Sequence, residues 1–70
     1  MYILKIKTAV VRKEKHPTWA DAVKAGKQMI TLLFPHTEWF SMGAELEKIG
    51  EIHGGGTLIE IYDEKMEAWH

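Results

Sequence analysis

No cysteine occurs in this chain, and at 70 residues that constrains the fold more than any motif it carries. Domains this small leave much of their surface exposed and are commonly stapled by disulfides, by a structural metal or by a partner subunit. Without cysteine, disulfides and thiolate-bound zinc are both excluded. Stability must come from packed apolar surface, and hydrophobic residues supply 46% of the sequence, with three Trp among them. Pooling cores between copies is the economical solution. The expectation is therefore one domain over residues 1–70 in a homo-oligomer, a dimer being favoured.

Hydrophobic periodicity supplies the elements. In "YILKIKTAVV" (2–11), Tyr2, Leu4, Ile6, Thr8 and Val10 alternate with Ile3, Lys5, Lys7, Ala9 and Val11. This predicts a strand with one apolar and one mixed face, followed by "RKEKHP" as a loop. In "TWADAVKAGKQMITLLF", Trp19, Ala22, Val23, Gly26, Met29, Ile30 and Leu33 recur at three- and four-residue spacing, which is one helical stripe. Thr18 and Asp21 stand where a capping box places its N-cap and N3 residues, and Pro35 cannot continue the helix. Gly26 in mid-helix costs about 1 kcal/mol against Ala, which close approach to a sheet explains. "EWFSMGAEL" (38–46) alternates Phe40, Met42, Ala44 and Leu46 against Trp39, Ser41, Gly43 and Glu45, and predicts a second strand. "EKIGEIHGGG" is open between a strand continuation and an irregular excursion. "TLIEIY" (57–62) is a third strand, and "DEKMEAWH" starts a short helix with Asp63 as N-cap.

The order is β-α-β-β with a short C-terminal helix, an α+β arrangement matching the front of a ferredoxin-like sheet with one covering helix. A right-handed crossover places the helix stripe on the Tyr2, Leu4 and Ile6 face. Strand 1 is then left as a bare edge, which invites pairing with another chain.

The charge pattern excludes several functions. Net charge is −1, acids and bases are interleaved, and Arg12 is the single arginine, so no basic field for nucleic acid is present. No apolar run approaches the ~20 residues that span a bilayer. The N-terminus carries lysines within its apolar stretch and does not read as a signal peptide. A cytoplasmic location is the default.

"TLIEIYDEKMEAW" resembles the strand-then-helix element of the dimeric α/β-barrel superfamily, which includes antibiotic-biosynthesis-type monooxygenases and stress-responsive barrel proteins, with Ile61, Asp63, Met66 and Trp69 at the matching places. "WADAVKAGKQMITLLFPHTEWFSMGAEL" is similar to the first helix and second strand of those proteins. The resemblance implies sheets packed face to face in a dimer, with a ligand pocket between sheet and helices. Two departures go with it. Only three strands are expected where the family has four, and the chain has no asparagine to match that of the haem-degrading branch. The small tautomerases are also of this length, but their amino-terminal proline is replaced here by Tyr2 after Met1.

The residues that bear on chemistry are few. "HGGG" (53–56) has the look of an oxyanion-hole loop, yet the sole serine, Ser41, has no nucleophile elbow around it. A glycine turn feeding the third strand is the plainer reading. His16, His36, His53 and His70 show no metal-binding spacing, so no metal or other cofactor is expected. Lys5, Lys7 and Glu60 interrupt apolar strands and fall near one another in the expected sheet. They form either a half-solvated ion-pair face or the floor of a pocket for an acidic ligand. Trp39 and His36 are candidates for its wall. Two functions follow: a small-molecule-binding or cofactor-independent enzyme domain of the barrel type, or a non-enzymatic homo-oligomeric interaction module. The first requires a concave pocket with convergent polar groups. The second requires an apolar surface patch.

Overall fold

A computed structural model describes residues 1–34 and 39–70. The chain runs β1 (Tyr2–Lys7), β2 (Val11–His16), α1 (Trp19–Leu33), α2 (Trp39–Ile49), β3 (Glu51–Gly54), β4 (Thr57–Asp63) and a closing 3-10 turn, η1 (Glu64–Trp69). The four strands form one antiparallel sheet in the order β2-β1-β4-β3. The α+β class is as expected. The element order is ββααββ instead of βαββ.

Two elements account for that difference. The expected strand over 2–11 ends at Lys7, and Thr8–Val10 reverse the chain so that the expected loop 12–17 returns as β2. Thr8 N–H donates to Val10 O at 2.8 Å inside this turn. It contains neither Gly nor Pro, so the usual hairpin signal is missing. β2 shows no apolar alternation because it is an edge strand whose charges pair among themselves and with η1. Residues 39–46 of the expected strand 38–46 are helical, and α2 continues through Ile49 into the segment left open. In a run this short, alternation at Phe40, Met42, Ala44 and Leu46 coincides with the helical set Trp39, Met42, Gly43 and Leu46. The absence of β-branched residues before Ile49 favours the helix.

The strand boundaries also displace the expected edge. β1 lies between β2 and β4, so it is a central strand with no free side. The true edges are blunted in the usual ways: β2 by its charged side chains, β3 by its four-residue length.

Both helices lie on one face of the sheet. Leu4, Ile6, Ile52, Ile59 and Ile61 meet Ala22, Val23, Ile30 and Leu46 to form the core. Tyr2 and Trp19 add an edge-to-face contact, centroids 5.6 Å apart. The Thr18 hydroxyl caps α1, accepting from Asp21 N–H at 3.1 Å. Gly26 does sit at a close approach, but chiefly to the other helix: a Cβ there lies 2.5 Å from Leu46 Cδ2 and 3.5 Å from Leu4 Cδ1. The accessible surface of 4679 Å2 is near the about 4,500 Å2 expected of a monomer of this mass. One chain thus closes its own core, and association does not require cores to be pooled.

Candidate functional site

The sheet face turned away from the helices carries the polar residues. Side chains alternate across a strand, so Ile3, Lys5 and Lys7 of β1 share this outer face with Leu58, Glu60 and Tyr62 of β4. Lys5 and Glu60 are direct cross-strand partners. The closeness expected of them is present, but each is engaged by His70. Lys5 Nζ donates to the His70 carbonyl at 2.9 Å, and His70 Nδ1 lies 3.2 Å from Glu60 Oε1. The His70 ring stacks on Tyr62 with centroids 3.9 Å apart and planes 8° from parallel. The Tyr62 hydroxyl donates to Glu67, whose other oxygen pairs with Lys13 of β2 at 2.7 Å. Lys15 and Glu64 pair at 2.6 Å beside them.

Together these residues form a chain of charges folded back on itself, not an open pocket floor. Among the described residues no buried side-chain polar atom lacks a partner. The other expected site residues lie elsewhere. Lys7 is exposed and borders a shallow hollow at the β3–β4 turn with His53 and Leu58. Trp39 stands on the helix side of the sheet, its indole N–H donating to Phe34 O at 3.0 Å. His36 falls outside the described residues. The structure therefore brings Lys5 and Glu60 together, keeps Lys7 beside them on the same face but outside the His70 network, and places Trp39 on the opposite side of the sheet.

Tyr62, Glu64, Glu67, His70, Lys13 and Lys15 are the members of this network that sequence reasoning missed. Tyr62 was legible, since it stands two residues after Glu60 on one strand. Lys13 was not, because β2 reads as a loop.

"HGGG" is a turn, as its composition suggested. His53 and Gly54 end β3, and Gly55 and Gly56 are the two turn residues, with φ of +56° and +82°. Positive φ at both central positions is the type I′ pattern that matches strand twist.

Each titrating partner in the network biases the other. Hydrogen bonding to Lys15 holds the Glu64 carboxyl below its ordinary 4.5, and Lys13, with Tyr62, does the same for Glu67. Lys13 and Lys15 are raised by those same bonds, while Tyr62 is raised by burial and then by Glu67. Lowered carboxyls contribute stability above their unfolded pKa, lost as pH falls through the folded value. Raised groups contribute it below their unfolded pKa, lost as pH rises. The η1 segment is thus expected to stay docked between the carboxylate range and about pH 10 and to loosen on both sides. The NMR shifts of the Tyr62 ring, which report the His70 stack, check this. Flat shifts across both limits would contradict it.

A second surface lies on the outer side of the helix pair. Lys27 and Thr31 of α1 and Phe40, Gly43, Ala44 and Glu47 of α2 line an open groove along the interhelical seam. Gly43 lets the Lys27 stem lie against α2, at 3.4 Å from a Cβ placed there, and Lys27 Nζ reaches Glu47 at 3.7 Å. Phe40 projects from this groove, 94% exposed. Among the described residues no cluster of three or more His, Asp or Glu could hold a metal ion, and no helix is long and apolar enough to cross a membrane. No protein-family model, curated protein or solved structure matches the chain.

Proposed function

We propose that the chain is a non-enzymatic interaction module that associates with a second copy of itself through the outer side of its helix pair. The observation that carries this reading is Phe40, a large aromatic almost wholly in solvent beside a groove floored by Gly43 and Ala44. A knob and a hollow on the same patch are what a two-fold interface uses, since each copy presents both. Lys27 and Glu47, paired with each other at the groove edge at 3.7 Å, are oppositely charged and can exchange partners across the same axis. Burying one Phe contributes about 1.5–3 kcal/mol, twice over in a symmetric pair. α1 is about 22 Å long at 1.5 Å per residue, and two helices at roughly 10 Å spacing cover on the order of 450 Å2 per copy. The total of about 900 Å2 falls below the roughly 1,000 Å2 of a stable specific interface, so the dimer is weak, transient and concentration-dependent. The likeness to ferredoxin-like folds that this proposal keeps is one of layers, two helices on one face of a four-stranded antiparallel sheet.

Sedimentation velocity over a concentration series tests the proposal. Wild-type protein is expected to shift from monomer to dimer, and Phe40→Asp to remain monomeric with an unchanged circular dichroism spectrum, because the side chain contributes little to the monomer core. A wild-type monomer at every concentration, or a dimer indifferent to Phe40→Asp, contradicts the proposal. The second reading, a small-molecule-binding domain of dimeric barrel type, draws on the opposition of Lys5 and Glu60 across β1 and β4. It is favoured instead if native mass spectrometry shows a retained small-molecule mass that Glu60→Gln removes.

A further inference from the structure

We infer that residues 64–70 form a strap latched by charge over the outer face of the sheet, which opens while the domain stays folded and uncovers Ile3, Tyr62 and the Lys5–Glu60 pair. The inference is independent of self-association through the helices. Its first support is what the strap does not bury. No residue of Glu64–Trp69 is buried, and its two large apolar side chains, Met66 and Trp69, are 47% and 80% exposed. Burial of Met66 and Trp69 therefore does not hold the strap down, and the His70 ring, with its side chain 24% exposed, is covered by its stack on Tyr62.

What holds it is polar and spread over three strands. Glu64 and Glu67 pair with Lys15 and Lys13 of β2, His70 pairs with Glu60 of β4, and Lys5 Nζ of β1 donates to the His70 carbonyl. Glu64 N–H donates to Met1 O at 2.9 Å. The His70 stack on Tyr62 adds a face-to-face ring contact. The Lys13–Glu67 and Lys15–Glu64 pairs are exposed, and exposed ion pairs are individually weak and screened by salt, whose Debye length shrinks from about 10 Å at 0.1 M to about 3 Å at 1 M. A segment fastened this way opens at a lower free energy than the sheet beneath it.

There is something beneath it to uncover. Ile3 and Tyr62 are 4% and 6% exposed yet stand apart from the helix-side core cluster. Among the described residues, the strap is the element lying over their face. Opening it converts a closed charge network into an accessible surface with two apolar residues flanked by a lysine and a carboxylate. The strap thus gates the face on which the sequence placed its candidate site.

Hydrogen exchange followed by mass spectrometry on the whole chain, at 0.05 M and 1 M NaCl, tests the latch. Amides of 64–70 are expected to exchange about tenfold faster at high salt, with β1 and β4 unchanged. Lys15→Glu is expected to reproduce the effect at low salt, and Lys15→Glu with Glu64→Lys to restore protection by reversing the pair. Both sites are exposed, so neither variant threatens folding. Two results overturn the inference: strap amides exchanging as slowly as β1 and β4 at both salts, or strap amides already unprotected at low salt.

Discussion

Leu46→Ala is expected to lower the stability of this domain by about 2–5 kcal/mol, the range for a fully buried leucine whose surroundings relax only in part. Leu46 has no exposed surface and reaches across from α2 to the close approach at Gly26. A domain of this size has on the order of 4–10 kcal/mol in total, so the loss lies between about a fifth of the stability and outright unfolding. Each kcal/mol shifts the melting temperature of so small a domain by about 4–8 °C, so a fall of about 8 °C or more is expected by thermal melt.

Gly26 makes this prediction sharper, because the two positions are coupled. In the wild type, Gly26→Ala gains about 1 kcal/mol of helix propensity but drives a methyl to within 2.5 Å of Leu46 Cδ2. Overpacking of that kind costs about 1–3 kcal/mol, so the net change is neutral to destabilising. With Ala at 46 the obstructing atom is gone, and Gly26→Ala is expected to stabilise by about 1 kcal/mol. A double-mutant cycle measures this reversal of sign. Strictly additive effects would show that α1 and α2 do not meet at this point.

Gly50→Ala is the second large expected effect. Gly50 follows α2 with φ +81°, its N–H donating to Leu46 O at 2.8 Å and its carbonyl accepting from Ile61 N–H at 2.7 Å. Left-handed backbone costs a non-glycine residue about 1–2 kcal/mol. A Cβ here also meets Trp19 Cη2 at 2.9 Å and the Ile61 carbonyl at 3.0 Å, and a backbone oxygen cannot rotate away. The combined loss is expected at about 2–5 kcal/mol. Gly55→Ala is the internal control: φ is +56°, but nothing stands within 4 Å of its Cβ, so only the backbone contribution of about 1–2 kcal/mol remains. Chemical denaturation of both variants separates conformational strain from steric clash. Equal losses would mean that the helix end relaxes away from Ile61.

Local signals with a single interpretation were legible in the sequence. The α1 stripe and its Thr18 cap, strand 57–62 and the Gly55-Gly56 turn each follow from periodicity or from the conformations glycine allows, whereas the opposition of Lys5 to Glu60 depends on the antiparallel pairing of β1 with β4. The α+β class followed from the same signals. Where a segment satisfied two periods, as 39–46 does, alternation alone pointed to the wrong element. Where a strand had no apolar face, as in β2, no period was present to read.

Tertiary structure alone decided what completes those segments. β2 is a strand because β1, just across the Thr8–Val10 turn, offers it hydrogen bonds on one side while η1 arrives from the far end of the sequence to offer its lysines acidic partners. Central placement of β1 depends on β2, so the edge argument fell with that one strand. Tyr62 and Glu60 are adjacent in sequence pattern, but His70 and Lys13 join them only when residues far apart in the chain meet over the sheet. Periodicity reports which side of an element is buried; it carries no information about what lies against the other side.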